Sequence, residues 1–122
     1  MTREMTLAID CGGGGIKGSV VDERGTMMAP PRRVPTPYPL PPELLVETVV
    51  GLARELPAAT RVTMGMPGMI RHGVVIATPH YITRDGPRSR VLPELVERWD
   101  HFDMGRAIAA ALGLPTKVLN DA

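Results

Sequence analysis

Residues 7–22, Leu-Ala-Ile-Asp-Cys-Gly-Gly-Gly-Gly-Ile-Lys-Gly-Ser-Val-Val-Asp, constrain this chain more than any other stretch. An apolar run ends in an acid, Asp10. Four glycines follow, Gly12, Gly13, Gly14 and Gly15, and then a run rich in β-branched residues. Glycine adopts positive φ at no steric cost, so successive N–H groups can converge on one point. Such a concavity attracts anions, phosphate above all. A carboxylate beside a phosphate repels it unless a divalent cation lies between them. The pattern predicts a strand–turn–strand unit that binds a metal-bound nucleotide or polyphosphate.

At 122 residues the chain is one domain at most, and 43% apolar content is enough for a core. The net charge of +1 provides no basic footprint for nucleic acid or an anionic membrane. Cys11 is the one cysteine, so no intrachain disulfide can form, and a reducing, cytoplasmic setting is expected. We read Cys11 as a small core residue. No apolar run approaches the roughly 20 residues of a membrane span, and the first five residues carry no apolar signal core.

Along the chain, residues 7–9 and 16–21 read as strands, 22–25 as a turn, and 26–29 as a short third strand. Residues 30–42 hold seven of the thirteen prolines and read as an extended edge or crossover segment. Leu45, Val49, Leu52 and Leu56 recur at helical spacing and predict a helix over 43–56. Residues 61–66 read as a strand, 69–70 and 74–77 as a hairpin around Arg71-His72-Gly73, and 92–99 as a short helix. Residues 102–112 read as a helix closed by Gly113 and Pro115, and 116–119 as the last strand. Met64, Met66 and Met69 read as core fillers. His72 sits in the hairpin turn and reads as exposed, and His80 and His101 lack partners at metal-ligand spacing.

This order predicts an α/β fold. Its mixed sheet has three parallel central strands, near Leu7, Val62 and Val118, and an antiparallel meander, flanked by helices. The carboxyl ends of the three parallel strands carry Asp10, Pro67-Gly68 and Asn120-Asp121. Open α/β sheets bind ligands outside those ends.

Two other readings of the glycines compete. Gly13-x-Gly15-x-x-Gly18 matches the dinucleotide fingerprint, with Arg32 and Arg33 as a grip on a 2′-phosphate, but it needs a helix where 16–21 reads as strand. The kinase P-loop pattern fails because Ile16 precedes Lys17 where glycine is required. A tight turn without a ligand leaves Asp10 unexplained.

Ile9-Asp10-x-Gly12-Gly13-x-Gly15-Ile16-Lys17-Gly18, then Gly65-x-Pro67-Gly68, then Leu119-Asn120-Asp121-Ala122, resembles the ROK family (repressors, open reading frames and kinases). The Gly15-Ile16-Lys17-Gly18 run, Pro67-Gly68-Met69-Ile70-Arg71-x-Gly73 and Leu112-Gly113-x-Pro115 resemble its polyphosphate/ATP glucokinases. The resemblance implies an actin-like, ribonuclease-H-like ATPase fold of two lobes around a cleft, with residues 1–122 as the N-terminal lobe. It implies phosphoryl transfer from ATP or polyphosphate, with Mg2+, to a hexose such as glucose. Asp10 would hold the metal. Asp10, Gly12, Gly13, Gly14, Gly15 and Lys17 would hold the phosphate tail. Gly65, Pro67 and Gly68 would wall the sugar pocket, Asn120 would bind sugar hydroxyls, and Asp121 would be the general base. The alternative within the family is a non-catalytic sugar-binding relative or a regulator fragment. Only six residues precede Leu7, too few for one helix of a regulator's DNA-binding motif.

Some positions depart from the family pattern. Gly14 replaces the usual threonine or serine, and Pro79-His80-Tyr81-Ile82 replaces an asparagine-leucine-tryptophan element. The family's zinc-binding cysteines are absent. A second lobe would have to come from elsewhere, so the chain alone is expected to be inactive. It is expected to pair with that lobe or to form a homo-oligomer.

Overall fold

A computed structural model describes residues 3–121. Strands β1 (Thr6–Cys11), β2 (Gly15–Val21) and β3 (Arg32–Pro35) precede helix α1 (Pro42–Arg54). Strands β4 (Arg61–Met66), β5 (Met69–Arg71) and β6 (Val74–Ala77) follow. Helix α2 (Pro93–Trp99), strand β7 (Phe102–Asp103), helix α3 (Met104–Leu112) and strand β8 (Thr116–Asn120) complete the order. The main sheet runs β3-β2-β1-β4-β8 and a small second sheet runs β5-β6-β7. β1, β4 and β8 are parallel, and β1-β2-β3 is the antiparallel meander, as the alternation of patterns predicts.

Alternation along the strands separates the two faces of the main sheet. Leu7, Ile9, Cys11, Ile16, Val20, Val62, Met64, Met66 and Val118 are buried on one face. There they meet Leu45, Val49 and Leu52 of α1 and Met104 and Ile108 of α3. Each large side chain buried in this way contributes about 2 kcal/mol. Gly18 lets α1 close down: a Cβ there would lie 3.6 Å from Leu52 Cβ of α1, 3.2 Å from Leu56 just beyond that helix and 3.3 Å from Ile9. Ala8, Asp10, Lys17, Thr63, Gly65, Lys117 and Leu119 alternate to the opposite face, which is half-buried to exposed.

Several elements differ from the sequence reading. The third strand is Arg32–Pro35, not 26–29, where only an isolated bridge joins Met27 to Val21. Arg32, Arg33 and Val34 keep their N–H groups, and Pro35 closes an edge strand where no outer ladder is needed. The proline segment is therefore the sheet edge plus a packed crossover, with Thr36 and Leu40 buried. Helix α3 starts at Met104 because the Asp103 carboxylate accepts from the Arg106 N–H at 3.0 Å, and Phe102 pairs with β6. Gly113 takes the left-handed C-cap conformation, φ 68°. Met69 is 57% exposed and fills no core. Because β2 is a strand, the dinucleotide reading fails.

Gly51 faces solvent inside α1, and a Cβ there would meet nothing within 4 Å. Gly51→Ala is expected to stabilise the fold by about 0.5–1 kcal/mol, read as a higher urea midpoint at unchanged slope.

Candidate active site

The carboxyl ends of β1, β4 and β8 gather the residues that the sequence singles out. Asp10 stands in register with Gly65 on β4 and with Lys17 on β2. Asp121 follows β8, and its N–H donates to the Met66 carbonyl at 3.2 Å. A Cβ on Gly65 would lie 3.2 Å from the Asp121 Cβ. Adjacent strands are about 4.8 Å apart, so the Asp10 and Asp121 Cβ atoms are within roughly 8 Å on one face. Both acids are exposed. Burial, then Asp10 and Asp121, push the Cys11 thiol up, so it stays protonated in the core. Burial also raises the Tyr81 phenol, with smaller contributions from Cys11, Tyr38, Asp121 and Asp10.

β4 ends in Pro67-Gly68. Gly68 has φ 115°, and a Cβ there would overlap the Ala77 carbonyl oxygen and lie 2.9 Å from Thr78 Cα. The Thr78 hydroxyl donates to the Pro67 carbonyl at 3.0 Å. Asn120 Nδ2 donates to the Gly68 carbonyl. An open recess of about 530 Å³ beside these groups is lined by Gly68, Met69, Ile70, Ala77, Pro79 and Asn120. Its apolar wall suits the non-polar face of a small organic acceptor. Its one side-chain amide provides direction.

The glycine turn is built differently from expectation. None of Gly12, Gly13, Gly14 and Gly15 has a φ in the left-handed region. The turn is shaped from behind by hydroxyls. Thr36 Oγ1 and Tyr81 OH donate to the Gly12 carbonyl at 3.0 and 2.8 Å, and Tyr38 OH donates to the Gly13 carbonyl at 2.8 Å. The Thr36 N–H reaches the Gly14 carbonyl at 3.4 Å. In a planar trans peptide the next N–H points opposite its carbonyl. The N–H groups of Gly13 and Gly14 therefore face away from the hydroxyls, and neither has an acceptor among the described residues. Glycine is needed for close approach: a Cβ at Gly13 would lie 2.9 Å from Pro87 Cγ. Gly14 is open, with nothing within 4 Å.

Sequence reasoning missed Thr36, Tyr38 and Tyr81. The usable signal was that the chain's two tyrosines both stand in Gly/Pro-rich connections, where a packed ring needs a polar partner. His72, His80 and His101 are exposed. No group of three or more His, Cys, Asp or Glu among the described residues could hold a metal ion. Mg2+ needs no such cage, since one or two carboxylates, substrate phosphates and water complete its shell. Asp10, exposed and outside every ion pair among the described residues, fits that role.

The ROK family's sequence profile matches residues 6–122. The chain belongs to the ROK family. N-acetylmannosamine kinase of Salmonella typhimurium is 32% identical over 119 residues, covering 96% of this chain and 36% of the relative. The inorganic polyphosphate/ATP-glucomannokinase from Arthrobacter sp. strain KM superposes with TM-score 0.74 at 35% identity. That match covers 98% of this chain and 45% of the other. A ROK glucokinase from Streptomyces griseus, in complex with glucose and AMPPNP, gives TM-score 0.73 at 24% identity, over 97% of this chain and 33% of its own. The ROK chain described here thus spans about a third of the length of the curated relatives it matches. Its fold is the actin-like ATPase fold of ROK kinases. Among the described residues no helix is long and apolar enough to cross a membrane.

Proposed function

We propose that this chain is the N-terminal lobe of a two-lobed, cytoplasmic ROK sugar kinase. It would transfer a phosphoryl group from ATP or polyphosphate to a hexose hydroxyl. The observation that carries this reading is the placement of Asp10 and Asp121 on one sheet face, on the two sides of β4, with Gly65 of β4 leaving the space between them open.

The residues divide the chemistry as follows. The Gly13 and Gly14 N–H groups donate to phosphate oxygens, and the Lys17 ammonium adds charge beside them. Asp10 would hold Mg2+, which when bound neutralises phosphate charge next to the carboxylate. Asn120, anchored on the Gly68 carbonyl, orients sugar hydroxyls against the Gly65–Gly68 wall. The Asp121 carboxylate accepts the attacking hydroxyl's proton as the sugar oxygen bonds to phosphorus. The bond from phosphorus to the bridging oxygen breaks, and the electron pair leaves with the remaining phosphate chain. Met69 and Leu119 are 57% and 44% exposed at this edge. They suit a surface covered by the second lobe or by another copy. Closure of that lobe excludes water from the reaction.

The test is phosphorylation of glucose, mannose and N-acetylmannosamine, the sugars of the relatives named above, with ATP and with polyphosphate. The whole protein with both lobes is expected to turn over at least one sugar, and the 122-residue chain none. No turnover by the whole protein with either donor overturns the kinase reading, and turnover by the chain alone overturns the lobe assignment. Sugar binding without turnover would mark a non-catalytic relative.

A further inference from the structure

The charges along the site edge follow the strand order. Asp121 stands at β8, Asp10 on β1, Lys17 on β2 and Arg33 on β3. Register puts Asp10 opposite Lys17 and Lys17 opposite Arg33, so the last three share one sheet face. Two acids therefore lie at one end of this line and two cations at the other.

Arg33 is laid across the glycine turn. A Cβ on Gly15 would overlap the Arg33 guanidinium and lie 2.7 Å from its Nε. Gly15 thus provides a bare backbone surface on which the planar group rests. Lys17 and Arg33 are both exposed, and neither makes an ion pair among the described residues. The fork lies on that surface, and no carboxylate among the described residues pairs with it.

We propose that Lys17 and Arg33 form an outer phosphate subsite, which grips the part of the donor chain beyond the transferred phosphoryl group. The proposal deepens the kinase reading and rests on it. Arg33 offers a planar, bidentate fork for phosphate oxygens, and Lys17 a point charge. Arg33 is rooted on β3, two strands outward from Asp10, and its guanidinium reaches back over Gly15 on β2, the strand next to β1. The transferred group would lie between Asp121 and Asp10, so an anionic chain running outward onto β2 next meets both Lys17 and the Arg33 fork on Gly15. The chemistry recognised is the non-bridging oxygens of a phosphoanhydride chain. Linear polyphosphate and the inner phosphates of a nucleotide both supply it. Polyphosphate continues past the subsite as repeating anion, so it is the donor expected to depend on Arg33 more.

The test has two arms. In the whole protein, Arg33→Met is expected to raise the KM for polyphosphate about 10-fold, with kcat within about threefold. Arg33→Lys should recover part of the loss, and kcat/KM of Arg33→Met should fall less steeply with added salt. ATP kinetics run in parallel: a larger loss with polyphosphate assigns the subsite to that donor, and an equal or larger loss with ATP assigns it to the nucleotide's phosphates. Donor KM unchanged within twofold for both overturns the subsite and leaves the kinase intact. In the second arm, inorganic polyphosphate is titrated calorimetrically into the 122-residue chain and into its Lys17→Met/Arg33→Met variant. Weaker binding by the variant supports the subsite even if no sugar is turned over, a result that would sink the kinase reading alone. Equal affinity overturns the subsite. Both side chains are exposed on strand surfaces, so the variants are expected to keep the wild-type melting temperature within a few degrees.

Discussion

Asp121→Asn is expected to lower kcat of the whole protein by about 1,000-fold, while the sugar dissociation constant stays within about threefold. General-base catalysis by a positioned carboxylate is worth roughly 10²–10⁴ in rate, and the amide keeps the shape while losing the proton acceptor. The position allows this clean test. Asp121 is exposed, its N–H is tied to the Met66 carbonyl, and its Cβ sits over Gly65, so the isosteric side chain enters the same space. Asn120 retains its bond to the Gly68 carbonyl, so the sugar contacts assigned to it are undisturbed. Steady-state kinetics report the loss of kcat, and calorimetry of sugar binding reports what is retained. A variant that keeps a tenth of wild-type kcat would remove Asp121 from the role of base. Equal losses in binding and turnover would make it a sugar ligand instead.

Gly68→Ala is the substitution with the largest expected effect on stability, a loss of about 3 kcal/mol or more. Two costs add. The backbone at φ 115° is strained for any residue with a Cβ. The new methyl also meets backbone, the Ala77 carbonyl oxygen and Thr78 Cα, which have no rotamer to change. Relief requires β6 and the following loop to move away from the end of β4. That motion breaks the Thr78 hydrogen bond to Pro67 and shifts the carbonyl that anchors Asn120. Urea unfolding should show the drop, with Gly51→Ala moving in the opposite direction as the control for a glycine that has no such neighbour. A Gly68→Ala protein within 1 kcal/mol of wild type would mean that the Pro67-Gly68 corner is soft and does not fix the recess beside Asn120.

The elements that local patterns specify were legible. The Leu45-Val49-Leu52 stripe, the Gly113 cap and the β-branched strands needed only neighbours a few residues away. Elements that depend on distant pairing were not. Nothing within residues 26–35 says which four of them hydrogen-bond to β2. That choice fell to Arg32–Pro35, because the crossover into α1 must lie over the glycine turn to bring Thr36 and Tyr38 to its carbonyls. Met69 reads as core by composition, yet the hairpin after Gly68 turns it outward. The glycine turn itself was legible as a turn, but not the means by which it is shaped. Its carbonyls are held by side chains 24, 25 and 69 residues away, and its φ angles need no left-handed glycine.

The primary structure alone determined that an acid, a glycine turn and a Pro-Gly corner stand at strand ends, because hydrophobic periodicity and backbone stereochemistry act over a few residues, and the alternation of those strands with helices implied three parallel strands. Only the folded chain decided that the carboxylates of Asp10 and Asp121 share a face across Gly65 and that the Arg33 fork lies on Gly15. Strand order and register set those distances. They are chosen by the packing of the whole sheet on α1 and α3, which no short window of residues contains.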